Sequence, residues 1–576
     1  MSKWTRLLVV LLCICMLFTA CTSAGSDSEG NEKAEYSQEV QNLEKLCKVW
    51  GYTKYTHPVF LTGEKDWDGE LLNLIPVVSK AKAEEVNDIL HEWFVSLGEI
   101  DYGISRPASK PIESEAIVQA DTGWILDEAY LGAELSADMQ NLGPVPKINR
   151  SKAPVKFSTR QGVPNFKMEK TDASCTYQAK EERLLGLFRV WNAVEYYFPY
   201  LDIMDESWHD LLREFIPKML QASDKQSFEL VICELTAHMH DGHTTLINRQ
   251  TLYHAFGKYL APVDLVHTKE GQWVVCDSFN NCPLQMGDVI LKLDGTGIQE
   301  VEENRKKYIS VPNDEKLYNG LHNYLLNSQD AEMEITVLRD GKEQTYTVNG
   351  IEQVGYWKGK VEKSHEILDG NIGRINPAAL PKGDTGTVIR QVMEDLRDTD
   401  GLIVDFRQYS SNTSMHGFLS MYLQRAGTVY SIMTVPSQSV PGTFTKQKMV
   451  SMGVTPAVFY YDKPVVILMD ETSQSNSEWS VMDLRTGDNA VVLGNHSIGA
   501  DGDITELPLP NGNILWFTSC GVYTPEMGQT QRVGLTPDIE VYPTVEGIKE
   551  GRDELMEAAV AYIREENKNK RTKEMS

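Results

Sequence analysis

Ser473, Ser475 and Ser477 fall within five positions of DETSQSNSEW (470–479). They follow PVVILMD (464–470), an apolar run of strand length, and precede SEWSVMDLR (477–485), which reads as a helix. A hydroxyl at such a junction lies at a helix N-terminus, where unpaired N–H groups and the macrodipole favour negative charge. Two roles fit that place. A nucleophilic serine gains from it, because its developing alkoxide is favoured and nearby N–H groups can hold a substrate oxyanion. A serine can equally cap the helix. A nucleophile also needs a base, and the residues alone do not choose one. The histidines of HMHDGH (238–243) lack a second ligand pair, so no metal is expected there.

The elements around these residues change character along the chain. LEKLCKVWGYTKYTHPVFLTGEKDWDGELLNLIP (43–76) shifted by 141 positions meets LLGLFRVWNAVEYYFPYLDIMDESWHDLLREFIP (184–217), with ten of 34 positions identical. The shared residues include Trp50/Trp191, Tyr55/Tyr196, Trp67/Trp208 and Pro76/Pro217. Their helical spacing predicts a duplicated helical unit with aromatic residues in its core. Only the second copy leads into DGHTTL (241–246); in the first, Tyr102 stands opposite His243. Residues 105–178 read as an irregular β-rich connector. Alternating runs bounded by Gly and Asp make 258–350 a β domain. From 371, strand and helix patterns alternate through GLIVDFR, PVVILMD and NAVVLG, as in an α/β layered core.

The chain has 576 residues, more than one hydrophobic core organises. Its net charge of −27 argues against nucleic acid as a partner. Lys3 and Arg6, the apolar LLVVLLCICMLF (7–18) and TAC ending at Cys21 form a secretory signal. The Cys after small residues resembles a bacterial lipobox, with Phe18 where Leu is usual. That resemblance implies cleavage before Cys21, a lipid on its sulfur, and a secreted protein anchored to the outer face of a bacterial membrane. Residues 22–40 read as a flexible tether. Of nine cysteines, Cys276 and Cys282 are close enough for a loop disulfide.

Met286-Gly287-Asp288-Val289-Ile290-Leu291 followed by Asp294-Gly295 resembles the core of a PDZ domain. Such domains bind extended peptide ends by strand addition. From Trp191 to Val541 the chain resembles the C-terminal processing, or tail-specific, serine peptidases. The carrying pieces are DGHTT, MGDVILKLDG, GLIVDFRQYSSN, ILMDETSQSNSEW, VVLGNHSIGADGD and RVGLTPDIEV. In that family the nucleophile lies three residues before a Glu, so Glu478 marks Ser475. Better-known members use a lysine about 25 residues further on; here Ala500 stands in its place, and a methyl group accepts no proton. A tricorn-like branch uses a histidine instead, and His243 in DGHTT matches it. The resemblance then implies oxyanion donors at Asn476 and near Ser411, in a QYSSN loop that lacks the usual glycines. It also implies an acid that orients the histidine. Gln529 and Gln531 stand where that acid is sought, and Glu526, Asp501, Asp503 and Asp241 are further candidates.

The expected molecule is therefore multidomain α+β. A signal (1–21) and tether (22–40) precede a first helical unit (41–104), the connector (105–178) and a second unit carrying DGHTT (179–257). A PDZ-like domain (258–350), a crotonase-like α/β core (351–565) and a polar tail (566–576) follow. The helical units form a cap. The expected activity is a serine endopeptidase acting on polypeptides, held in part by the PDZ-like domain, with no cofactor. The rival from another class is a non-catalytic peptide-binding surface lipoprotein.

Overall fold

The computed structural model describes residues 36–103, 116–158, 162–313, 318–352, 362–453 and 459–575. The leader, Cys21 and most of the tether lie outside these. Residues 38–576 form one compact unit of mixed α and β structure.

Both copies of the repeat are helical. Gln38–Thr56, Trp67–Val78 and Val86–Ser96 form the first; Lys180–Tyr197, Trp208–Gln221 and Lys225–Ala237 form the second. The same tryptophan bond closes each copy. Trp50 Nε1 donates to Trp67 O at 2.8 Å, and Trp191 Nε1 donates to Trp208 O at 2.9 Å. The copies cross at equivalent positions, Gly51 and Asn192. A Cβ on Gly51 would lie 1.7 Å from Asn192 Oδ1. Asn192 Nδ2 donates to the Cys47 and Phe188 carbonyls at 3.1 and 2.9 Å, which are themselves equivalent positions. The shared aromatics Trp50, Trp191, Tyr55 and Tyr196 are buried, so packing explains why the repeat keeps them.

Residues 263–349 carry a six-stranded antiparallel sheet, ordered 342–349, 332–339, 289–293, 273–278, 263–267, with 296–297 pairing 289–293 off that path. Its Gly-Asp turn is fixed from both sides. Gly287 has φ +87°, and Arg339 holds the buried Asp288 carboxylate through Nε at 2.6 Å and Nη2 at 2.5 Å. Cys276 and Cys282 are free thiols, so the loop disulfide suggested by their spacing does not form.

The central sheet runs 365–368, 372–375, 401–405, 465–469, 490–494, 539–540. All neighbours beyond the first pair are parallel. Gly401–Asp405 and Val465–Met469 are buried throughout, as strands covered on both faces must be. The helices Thr385–Asp395, Met415–Leu423 and Asn476–Leu484 cover one face; Glu554–Met575 covers the other. Two smaller sheets complete the site's surroundings. Residues 429–436 and 443–450 pair as a hairpin, and 514–518 pairs with both 504–508 and 245–246. That last pairing brings the DGHTT segment to the central core.

Candidate active site

Val465–Met469 ends in a turn, and a helix begins at Asn476, as the residue pattern predicts. Ser475 is the residue just before that helix. Its backbone sits at φ 55°, ψ −120°, outside the left-handed well, a conformation that costs of order 1–3 kcal/mol and needs support. The support comes from Ala500 and Glu478. Ser475 N donates to Ala500 O at 2.9 Å and to Glu478 Oε2 at 3.3 Å. Glu478 is buried and also accepts from Ser497 Oγ at 2.5 Å, Gly499 N at 2.9 Å and Ala500 N at 3.0 Å. The buried Ala500 thus has a backbone role at the place where a lysine base would stand. Ser473 serves the turn, donating to Phe406 O at 3.0 Å and accepting from Asp470 N at 3.0 Å.

Ser475, Asn476 and His243 line one cavity of about 1480 Å³. Their chain neighbours are tied together, since Gln474 Nε2 donates to Gly242 O at 3.1 Å. His243 Nδ1 lies 2.9 Å from Thr518 Oγ1, and that hydroxyl lies 2.8 Å from Asp241 Oδ1. A carboxylate oxygen only accepts, so the Thr518 hydroxyl donates to Asp241. Its lone pair then takes the Nδ1 proton of His243, and Nε2 is left as the basic nitrogen. Asp241 is itself locked by Thr518 N at 2.8 Å, Thr244 Oγ1 at 2.8 Å and Gln531 Nε2 at 3.2 Å. Burial lowers the pKa of His243 below its ordinary 6.5, against a smaller upward pull from Asp241.

Three of the suggested orienting residues take other places. Gln531 is buried and reaches Asp241, one step short of the imidazole. Gln529 is exposed and donates to Gln531 O at 2.8 Å; Glu526 is exposed. Thr518 and Asp241 meet His243 instead, because the strand 514–518 pairs with 245–246 and carries Thr518 alongside. Asp241 was among the candidates; Thr518, inside ILWFTSC, had no spacing to reveal it. Asp501 lines the cavity, and burial, followed by the nearby Glu478 charge, raises its carboxyl well above the usual range. Asp503 also lines it and is raised by burial.

Asn476 N is the first amide of its helix and has no partner four residues back. The Asn476 side chain fixes the loop after Gly401–Asp405, donating to Ser410 O at 2.7 Å and Asn412 O at 3.3 Å. Ser411 itself is exposed, while Tyr409 and Thr413 on either side of it line the cavity. Among the described residues no group of three or more His, Cys, Asp or Glu could hold a metal ion. His416 and Asp483, on neighbouring helices in the same cavity, form a pair that sequence reading did not single out.

Residues 371–541 match the family model of Peptidase family S41. The carboxy-terminal-processing protease of Bartonella bacilliformis is 34% identical over 80 residues, 14% of this chain. The chain thus spans 18% of the length of that curated relative. Among solved structures, mature CPAF complexed with lactacystin aligns with a TM-score of 0.50 at 13% identity, covering 68% of this chain and 98% of that one. The photosystem II D1 C-terminal processing protease aligns at TM-score 0.38 and 17% identity, over 65% of this chain and 98% of that one. The first of these likenesses is one of fold.

Proposed function

We propose that this chain, whose residues 371–541 are a Peptidase family S41 domain, is a serine peptidase that cleaves polypeptides through an acyl-enzyme, with Ser475 as nucleophile and His243 as base. The observation that carries the reading is the shared cavity. A serine on a strained strand-to-helix turn and a neutral, oriented histidine line the same space. His243 Nε2 takes the Ser475 proton as Oγ attacks the peptide carbonyl. The Asn476 amide, with a donor from the 409–413 loop, holds the oxyanion. His243 then passes the proton to the leaving amine, and water hydrolyses the ester by the same route reversed. The Thr518–Asp241 relay keeps the imidazole in the tautomer this needs.

In this reading the duplicated helical units act as a cap that delivers His243. The sheet of 263–349 is a PDZ-like module that captures peptide ends, and the parallel core is crotonase-like. Lipid attachment at Cys21 would hold the enzyme on the outer face of a membrane.

A fluorophosphonate probe tests the assignment. Wild-type protein should label, Ser475→Ala should not, and His243→Ala should label at least tenfold more slowly. Equal labelling of wild type and Ser475→Ala ends the proposal. Peptide capture with neither labelling nor turnover would support the non-catalytic binding lipoprotein instead.

A further inference from the structure

The His416–Asp483 pair lies in the cavity but outside the proton path described above. His416 Nδ1 is 2.6 Å from Asp483 Oδ2. Asp483 is 0 % exposed, and its Oδ1 has no hydrogen-bond partner. The carboxylate accepts the Nδ1 proton, which leaves His416 Nε2 as an acceptor when the ring is neutral. Aromatic rings stand beside the pair. Tyr430 packs edge-on against both Trp479 at 5.3 Å and His416 at 6.0 Å. Tyr430 and Trp479 both line the cavity, with Met449 and Met452 nearby on its wall. Arg249 also stands on the wall.

Position along the helix sets the reach. Ser475, Trp479 and Asp483 recur at intervals of four, so they share one helix face. Asp483 lies about 12 Å along the axis from Ser475 at 1.5 Å per residue. A span of that order suits a long side chain with an apolar stem and a hydrogen-bond donor at its tip. Asp483 Oδ1 is sealed from the cavity, so the pair can meet a ligand only through His416, with the carboxylate behind the ring. Aromatic walls favour the same ligand through cation–π contact.

We propose that His416 and Asp483 form the base of a side-chain subsite that selects lysine or arginine at the residue supplying the attacked carbonyl. The subsite rests on Ser475 being the nucleophile. His416 meets the substrate's cationic tip; Asp483 is a positioning residue that holds the ring and supplies the negative charge. Trp479 and Tyr430 pack on the stem.

The test uses the full chain and internally quenched peptides that differ at one residue, Lys, Arg, Leu or Glu, with cleavage sites read by mass spectrometry. Wild type should cut the Lys and Arg peptides with at least tenfold higher kcat/KM than the Leu and Glu peptides. Asp483→Asn and, should that variant not fold, His416→Gln should shrink the Lys-to-Leu ratio at least fivefold. Equal or better cleavage of the Leu or Glu peptide overturns the subsite, as does an equal loss on every peptide. If wild type neither labels with fluorophosphonate nor cleaves, it is the peptidase reading that fails. Fluorescence anisotropy of the same peptides then decides the subsite. At least tenfold tighter binding of the Lys peptide, lost in Asp483→Asn, supports it; equal affinities reject it.

Discussion

His243 can act as a base only while its ring is neutral. Burial opposes the imidazolium more strongly than Asp241 favours it, so the folded pKa lies below the ordinary 6.5. The acid limb of kcat/KM against pH for the free enzyme should therefore have its midpoint below about 6.5. A midpoint above 7 would contradict the burial seen here. The same shift has a stability consequence. Above pH 6.5 neither state binds the proton, and the contribution is fully present. As pH falls below 6.5 the unfolded chain takes up a proton that folded His243 resists, so stability drops. Asp501 works in the opposite sense: its raised carboxyl favours folding at low pH, and that contribution fades as pH rises. At this scale Ser475 and Glu478 were legible, because a nucleophile and its anchor are three residues apart on one turn. His416 and Asp483 were not, since 67 residues separate them and neither lies in a recognisable motif.

The helical repeat shows what an element can reveal. Large apolar residues recurring at 141-residue offset predicted two similar helical units, and the paired Trp50–Trp67 and Trp191–Trp208 bonds realise them. The offset did not reveal that Gly51 and Asn192 would meet. Gly51→Ala drives a methyl into the Asn192 side chain at a helix crossing where both backbones are fixed. Overpacking of this kind costs roughly 1–3 kcal/mol or more. Urea unfolding should show a lower midpoint for Gly51→Ala, with the double variant Gly51→Ala/Asn192→Ala recovering part of it. A midpoint equal to wild type would mean that the helices slide apart freely. The strand 514–518 illustrates the converse. Its continuous apolar run is plain in the sequence, but its partners at 245–246 lie some 270 residues upstream, and that pairing determines which side chain faces His243.

Across the whole molecule, buried charge ties the helical units to the core. Lys54 Nζ lies 2.6 Å from Glu169 Oε1, Arg189 Nε lies 3.3 Å from Glu169 Oε2, and Arg189 Nη2 lies 2.8 Å from Asp68 Oδ2. Arg189 Nη1 also donates to Pro508 O at 2.8 Å, beside the strand that flanks the cavity. One cluster thus joins the first helical unit, the connector, the second unit and the core. Burial lowers the Lys54 pKa, with Glu169 the largest opposing influence. Glu169→Ala leaves Lys54 buried without that partner and should lower stability by about 3–5 kcal/mol. Thermal unfolding should show one early transition; a change under 1 kcal/mol would mean that the cluster is dispensable.

By itself the sequence determined what depends on nearby residues or on periodicity. That covers the strand-to-helix turn at Ser475, the fully apolar central strands, the Gly287–Asp288 turn and the duplicated helices. Tertiary structure alone decided which distant groups meet: Thr518 and Asp241 beside His243, His416 against Asp483, and Arg189 among four parts of the chain. The reason is physical. Backbone propensity and hydrophobic pattern act over a few residues, whereas an imidazole's proton partner is fixed by strand register and helix crossing, which only the packed chain sets.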